Sequence, residues 1–78
     1  MGVYMESDIP LETVARLLKT LSDPNRLQII RVLTADCQSV SDIVAATRLP
    51  QPLVSHHLRI LREQGLAGFE RRGAFTYY

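Results

Sequence analysis

The chain has 78 residues, with nine Lys and Arg against eight Asp and Glu for a net charge of +1, and one cysteine. That size makes one domain whose core is marginal without a partner, near-neutral charge argues against a non-specific coat for a polyanion, and Cys37 alone builds neither an intramolecular disulfide nor a multi-thiolate metal site, which fits a reducing compartment. No apolar run approaches the roughly 20 residues of a membrane span, and the start of the chain matches neither a signal peptide nor, with Glu6 where Ser or Thr is required, a myristoylation site, so a cytoplasmic protein with no membrane partner is expected.

Residues 1–8 show no periodicity and are expected to form a flexible N-terminal arm ahead of a single domain over residues 9–78. From Pro10, favoured in a first helical turn, Leu11, Val14, Leu17, Leu18 and Leu21 recur at helical spacing, with Glu12 and Lys19 at the ends the helix dipole prefers. Val14, Leu17, Leu18 and Leu21 offer more apolar surface than one helix facing a small core uses, which predicts a homodimer formed through this helix. Ser22-Asp23-Pro24-Asn25 then ends one helix and starts another, Asp23 as N-cap and Pro24 in the first turn. The second helix is expected from Arg26 to about Thr34, burying Leu27, Ile30 and Leu33.

Ala35-Asp36-Cys37-Gln38 is a polar connection. Ser39-Val-Ser-Asp42 has the spacing of a capping box, with Asp in place of the usual Glu or Gln, and opens a third helix from Val40 to about Thr47 that buries Val40, Ile43 and Val44. Arg48-Leu49-Pro50 turns the chain into a fourth helix, where the missing N–H of Pro52 costs nothing. On a helical wheel Leu53, Val54, His57, Leu58, Ile60 and Leu61 fill one arc, and Gln51, Ser55, His56, Arg59, Arg62 and Glu63 fill the other. The second arc is poor in the Lys and Glu of a merely solvated face. Its amide, hydroxyl, imidazole and guanidinium groups are those that contact base edges and phosphates.

Gly65 follows as a left-handed C-terminal residue. Leu66–Arg71 and Ala74–Tyr78 then read as two short strands around Arg72-Gly73. The fold class is therefore mainly α with a small β-hairpin: four helices followed by a two-stranded basic wing, a winged helix-turn-helix. The late arginines, Arg48, Arg59, Arg62, Arg71 and Arg72, outnumber Glu63 and Glu70, so this end would face a polyanion.

In a helix-turn-helix the N-terminal part of the reading helix enters the major groove, which makes Gln51, Ser55 and His56 candidates for base contact. Arg59 and Arg62 on the helix, and Arg71 and Arg72 on the wing, are candidates for phosphate contact. Leu53 fits either a thymine methyl or the core. His56 and His57 diverge by about 100° on a helix and do not chelate one ion, because ligands on one helix need i,i+3 or i,i+4 spacing; His57, inside the apolar arc, is expected to be a core histidine with a hydrogen-bonded ring nitrogen. Cys37 has no adjacent cation to activate it, and its chain neighbour is the acidic Asp36, so a reactive sensing thiol is not expected. No nucleophile turn, Gly-rich phosphate loop or paired carboxylates occur, so neither an enzyme nor a cofactor is expected.

Three stretches in order resemble the ArsR/SmtB type of bacterial winged-helix repressors. Leu21-Ser-Asp-Pro-Asn-Arg-Leu27 is similar to the family's junction between its first two helices, Gln51-Pro-Leu-Val-Ser-His-His-Leu58 to its recognition-helix motif, and Leu61-Arg-Glu-Gln-Gly-Leu66 to the segment leading into its wing. The resemblance covers about residues 11–78 and implies a dimeric repressor that binds a double-stranded DNA operator and is released by an inducer, which these residues do not name. It also implies departures. Where the family's thiolate sensors carry a cysteine pair at the start of the third helix, this chain has Ser39 and Ser41, so no metal site is expected there. The family's other common metal site lies on a C-terminal helix that would begin at about Tyr78, and Ala74 stands where many relatives have a further basic residue. The alternative to a DNA-binding regulator is a winged-helix protein-interaction module, disfavoured because a protein-docking face would show exposed aromatics or aliphatics where arginines stand.

Overall fold

The computed structural model describes residues 10–78, so the expected arm over residues 1–8 lies outside the described residues. The elements run α1 (Leu11–Leu21), α2 (Pro24–Leu33), α3 (Val40–Thr47), α4 (Gln51–Glu63), β1 (Glu70–Arg72) and β2 (Phe75–Tyr77). This is the winged helix-turn-helix order that the hydrophobic periodicity and turn residues predict.

Local chemistry explains most of the boundaries. Asp23 Oδ1 accepts the backbone N–H groups of Asn25 at 2.8 Å and Arg26 at 3.4 Å, a cap worth about 1 kcal/mol, so α2 begins at Pro24 rather than at Arg26. Burial alone would raise the Asp23 carboxyl; those two N–H bonds, with His57 and Arg26 nearby, outweigh it and bring its pKa below the ordinary value. At α3 the capping box is complete: Ser39 Oγ accepts from the Asp42 N–H at 3.1 Å, and Asp42 Oδ2 accepts from the Ser39 N–H at 3.2 Å. At the end of α4, Gly65 adopts φ 74°, the Leu66 N–H bonds the Leu61 carbonyl at 2.8 Å and the Gly65 N–H bonds the Arg62 carbonyl at 3.0 Å, the paired bonds of a Schellman motif.

The turn between α3 and α4 sets the angle at which α4 leaves. The buried Thr47 hydroxyl donates to the Ile43 carbonyl at 2.7 Å and accepts from the Leu49 N–H at 3.3 Å, while Gln28 of α2 donates to the Thr47 carbonyl at 3.4 Å. Arg48 sits in the left-handed region at φ 60°, which costs a non-glycine residue about 1–2 kcal/mol.

Ile29, Ile43, Val54, Leu58 and Leu61 form a fully buried core, each contributing about 1.5–3 kcal/mol by leaving water, and Ile30, Val32, Leu33, Val40, Val44, Leu49, Ala67 and Tyr78 pack around it. One expectation fails here. Leu27 is 48% exposed, and Ile29 takes the interior position in its place. Both rows fit a helical period; packing of α2 against α3 and α4 selects the one through Ile29, and Leu27 opens with Pro24, Gln28 and Arg31 onto a shallow outer groove.

The wing is shorter than the β-propensity suggests. The N–H groups of Leu66 and Ala67 both bond the Leu61 carbonyl, so the chain is still wrapping the end of α4 where β-propensity predicts a strand. Arg72 belongs to β1, paired with Phe75, and the turn is Gly73-Ala74, with Gly73 at φ 62°. The polar connection before α3 also has a role its composition hides. Gln38 and Tyr78 exchange backbone hydrogen bonds at 2.9 and 2.7 Å, with a bridge between Ser39 and Tyr77, tying the wing to the start of α3.

Candidate nucleic-acid interface

The apolar arc of α4 faces the core: Val54, His57, Leu58 and Leu61 are buried, and Leu53 and Ile60 are half-buried. Gln51, Ser55, His56, Arg59, Arg62 and Glu63 are all exposed. Pro52, Ser55, His56 and Arg59 line an open groove of about 440 Å³. Pro50 supplies no side-chain cap and Pro52 no N–H, so the positive end of α4 is presented without a side-chain partner beside Gln51. Leu53, half-buried, joins the packed side more than the outer one.

The four arginines singled out from the sequence differ in circumstance. Arg59 lies 3.8 Å from Glu63 one turn on, an exposed pair of little net worth that a phosphate oxygen can displace. The Arg62 guanidinium stacks over the Phe69 ring at 4.2 Å, joining the end of α4 to the root of the wing. Arg72 bonds Glu70 at 3.2 Å and lies over Tyr77 at 5.2 Å. Arg71 falls between Glu70 and Arg72 on a strand, so its side chain leaves from the opposite face, and no carboxylate within ion-pair distance of it is found among the described residues. The two wing arginines therefore do not form one clamp surface. Phe69 and Phe75 are 52% and 59% exposed, so the wing also carries aromatic surface of the kind expected of a protein-docking face.

Behind α4 is a residue that the sequence does not single out. His57 is buried with a hydrogen-bonded ring nitrogen, as expected, and its partner is Arg26, whose Nε donates to His57 Nδ1 at 3.1 Å and whose Nη1 donates to the Thr20 carbonyl at 3.2 Å. Arg26 thereby ties α1, α2 and α4 together. The only signal in the sequence is a histidine in an apolar arc needing a partner, and that partner lies 31 residues away. Burial lowers the pKa of His57, Arg26 and His56 lower it further, and Asp23 opposes them.

The rings of His56 and His57 lie 5.4 Å apart and tilted by 58°, and with Nδ1 of His57 engaged by Arg26 the two do not converge on a common point. Ser39 is consumed as a helix cap and Ser41 is exposed. Among the described residues no group of three or more His, Cys, Asp or Glu side chains is placed to hold a metal ion. Cys37 is exposed, at the rim of a cleft formed with Phe69, Glu70, Tyr77 and Tyr78. On α1, Leu11 and Leu18 are 82% and 63% exposed and Val14 is also exposed, whereas Leu17 and Leu21 are half-buried.

Comparison with known proteins decides the family. The sequence model of the bacterial regulatory proteins of the arsR family matches residues 23–67, from the cap of α2 to the end of the Schellman turn. The chain belongs to the ArsR family. The chain is 34% identical over 68 residues to an uncharacterised helix-turn-helix transcriptional regulator of Methanocaldococcus jannaschii, covering 86% of this chain and 76% of that one. It is 38% identical over 68 residues to the transcriptional repressor SmtB of Mycobacterium tuberculosis, covering 87% of this chain and 50% of the repressor. The chain thus spans about half the length of some of the curated relatives it matches. The solution structure of a homodimeric winged helix-turn-helix DNA-binding domain from Mycobacterium bovis, a possible ArsR-family regulator, superposes with a TM-score of 0.82 at 32% identity, over 100% of this chain and 72% of that one. No helix among the described residues is long and apolar enough to cross a membrane.

Proposed function

We propose that this ArsR-family chain is a sequence-specific, double-stranded-DNA-binding transcriptional regulator that acts as a dimeric repressor in the cytoplasm and is released by an inducer. The observation that carries this reading is the outer face of α4. Gln51, Ser55 and His56 stand exposed together at the N-terminal half of a helix whose other face is locked into the core, and that half is the part a helix-turn-helix inserts into the major groove. In this reading those three residues contact base edges. Arg59 and Arg62 on the helix and Arg71 and Arg72 on the wing contact phosphates, each by giving up a weak intramolecular partner or none. The uncapped end of α4 adds a favourable site for a phosphate.

The partner surface in this proposal is α1, where Val14, Leu17, Leu18 and Leu21 pack against the same residues of a second copy. That the similar M. bovis domain is homodimeric supports a dimer, and the choice of α1 rests on its exposed Val14 and Leu18. Two reading helices would then address half-sites about 34–36 Å apart. The test is selection of a duplex from a random pool, followed by salt titration and sedimentation. A dimer whose affinity falls steeply with salt on every duplex, and which prefers the selected one, is expected. A monomer at tens of micromolar would remove the dimer, and salt-insensitive or absent binding would remove the DNA.

The exposed Phe69 and Phe75 favour a second reading, a module that docks another protein through its wing. It predicts binding that survives high salt and is lost on Phe75→Ser.

A further inference from the structure

Resting on the DNA-binding reading of α4, we infer that Arg26 and His57 are positioning residues: their bond fixes how α4 is seated against α1 and α2, and a proton on His57 Nδ1 opens it, so that binding to the preferred duplex weakens on acidification.

The bond itself defines the protonation state. A guanidinium has donors and no acceptor, so the Nδ1 that receives the Arg26 Nε–H must hold a lone pair, and His57 is the neutral tautomer with its proton on Nε2. When Nδ1 takes a proton from solvent, an N–H faces an N–H across 3.1 Å and two cations meet, one on the buried His57 and one on the half-buried Arg26. The contact then becomes repulsive, and either Arg26 leaves or α4 shifts. If Arg26 leaves, the Thr20 carbonyl on α1 loses its donor as well, because one guanidinium serves both.

The groups facing His57 set how readily this happens. From the first turn of α2 come the Asp23 carboxylate, which favours the cation, and Arg26, which opposes it. From α4 itself comes His56, which also opposes it, and α1 contributes the Thr20 carbonyl through Arg26. Burial is the largest influence and acts against the charge, so neutral His57 persists below the ordinary histidine value of 6.5. His57 is next to His56 and one turn beyond Leu53 on the helix that carries the reading face, so a change in its seating reaches Gln51, Ser55 and His56 directly.

The acid response has a sign that simple charge does not produce. A general gain of positive charge on the protein would strengthen binding to a polyanion. Opening the Arg26–His57 joint weakens it. If the bound form requires neutral His57, affinity for the selected duplex falls by about tenfold per pH unit below the midpoint of His57 in the free protein.

The experiment measures fluorescence anisotropy of the selected duplex and of a scrambled one from about pH 7.5 to about pH 5.5 at constant ionic strength. It uses the whole chain as wild type, His57→Gln and Arg26→Met, with circular dichroism at each pH to confirm folding. Wild type should lose affinity for the selected duplex on acidification and not for the scrambled one. His57→Gln and Arg26→Met should both lack the acid decline, and Arg26→Met should already bind the selected duplex more weakly at about pH 7.5, because it leaves no bond for a proton to open. A flat or rising wild-type curve overturns the inference, as does an acid decline in Arg26→Met as large as that of wild type; the latter keeps the test decisive if His57→Gln fails to fold. Should no duplex be selected at about pH 7.5, the DNA-binding reading has failed, and the joint is judged by NMR. Displacement of α4 amide resonances in step with titration of the His57 ring supports it, and α4 resonances indifferent to that ring overturn it.

Discussion

The helix that faces outward as a reading surface and the hairpin beside it are held in opposite ways. Helix α4 is anchored by its own Val54, Leu58 and Leu61, all fully buried, and by the Arg26–His57 bond. β1 is exposed throughout and β2 is at most half-buried, and the hairpin is fixed at its root by the Gln38–Tyr78 backbone bonds and by Arg62 over Phe69. Helix α4 is therefore positioned by packing, which is stiff, whereas the hairpin beyond its root is positioned by its own pairing and is free to adjust. A surface that discriminates between sequences needs the first kind of support. A surface that only follows a phosphate backbone works with the second.

Truncation tests this contrast most strongly. Leu58→Ala leaves a cavity in the centre of the core and should cost about 2–5 kcal/mol, a large part of the stability available to a domain of this size. Phe75→Ala, at a side chain 59% exposed, should cost under about 1 kcal/mol. Urea denaturation of the two variants is the measurement. Equal losses would show that the wing is packed as firmly as the core, and the contrast would collapse.

Next in size is a specificity effect. Gln51→Ala should cost about 1–3 kcal/mol on the selected duplex and much less on a scrambled one, as should His56→Ala, because the contact being removed is to a base edge. Proportional loss on both duplexes would make Gln51 a phosphate contact and leave α4 with no demonstrated reader at that position.

Legibility in the sequence divides along the same line. The amphipathic arc of α4, the cap at Asp23, the capping box at Ser39 and Asp42 and the C-terminal Gly65 are local signals, each complete within a few residues, and each of them fixes an element of the fold. Leu27 and Ile29 are not separable by periodicity, because choosing between two apolar rows on α2 requires knowing where α3 and α4 pack. Arg26 is invisible as a partner of His57 for the same reason. The pairing of Gln38 with Tyr78 is carried by backbone groups that every residue has, so no side chain announces it. On the wing, composition shows two arginines but not that strand alternation sends them to opposite faces.

A smaller effect concerns acid. His57 has its pKa lowered in the folded chain, chiefly by burial, so the unfolded state takes up its proton first as pH falls. The stabilisation that goes with neutral His57 is complete above the unfolded value of 6.5 and is lost as pH drops through the lower folded value. Urea midpoints should therefore fall between neutral and mildly acidic pH, and the fall should be shallower in His57→Gln. A pH-independent midpoint in the wild type would mean that the ring is solvated, and the firm support assigned to α4 would lose one of its parts.

The smallest expected effect lies on the wing and resolves its two faces. Each phosphate contact contributes a slope of about 0.9 to the fall of log affinity with log salt. Arg71 leaves β1 on the face away from Glu70, so Arg71→Ala should reduce the slope by about one on any duplex while leaving the preference between duplexes intact. Arg72 already bonds Glu70 at 3.2 Å. A phosphate must compete with that carboxylate, and Arg72→Ala also leaves Glu70 without its partner, so the loss of affinity should be accompanied by a smaller change in slope. Glu70→Gln then separates the two explanations, since freeing Arg72 should raise both affinity and slope if its face meets the backbone. If Arg72→Ala carries the full slope change and Arg71→Ala none, the face bearing Glu70 and Tyr77 is the one turned to DNA. If neither changes the slope, the hairpin does not touch the backbone, and its exposed Phe69 and Phe75 mark it as a surface for protein.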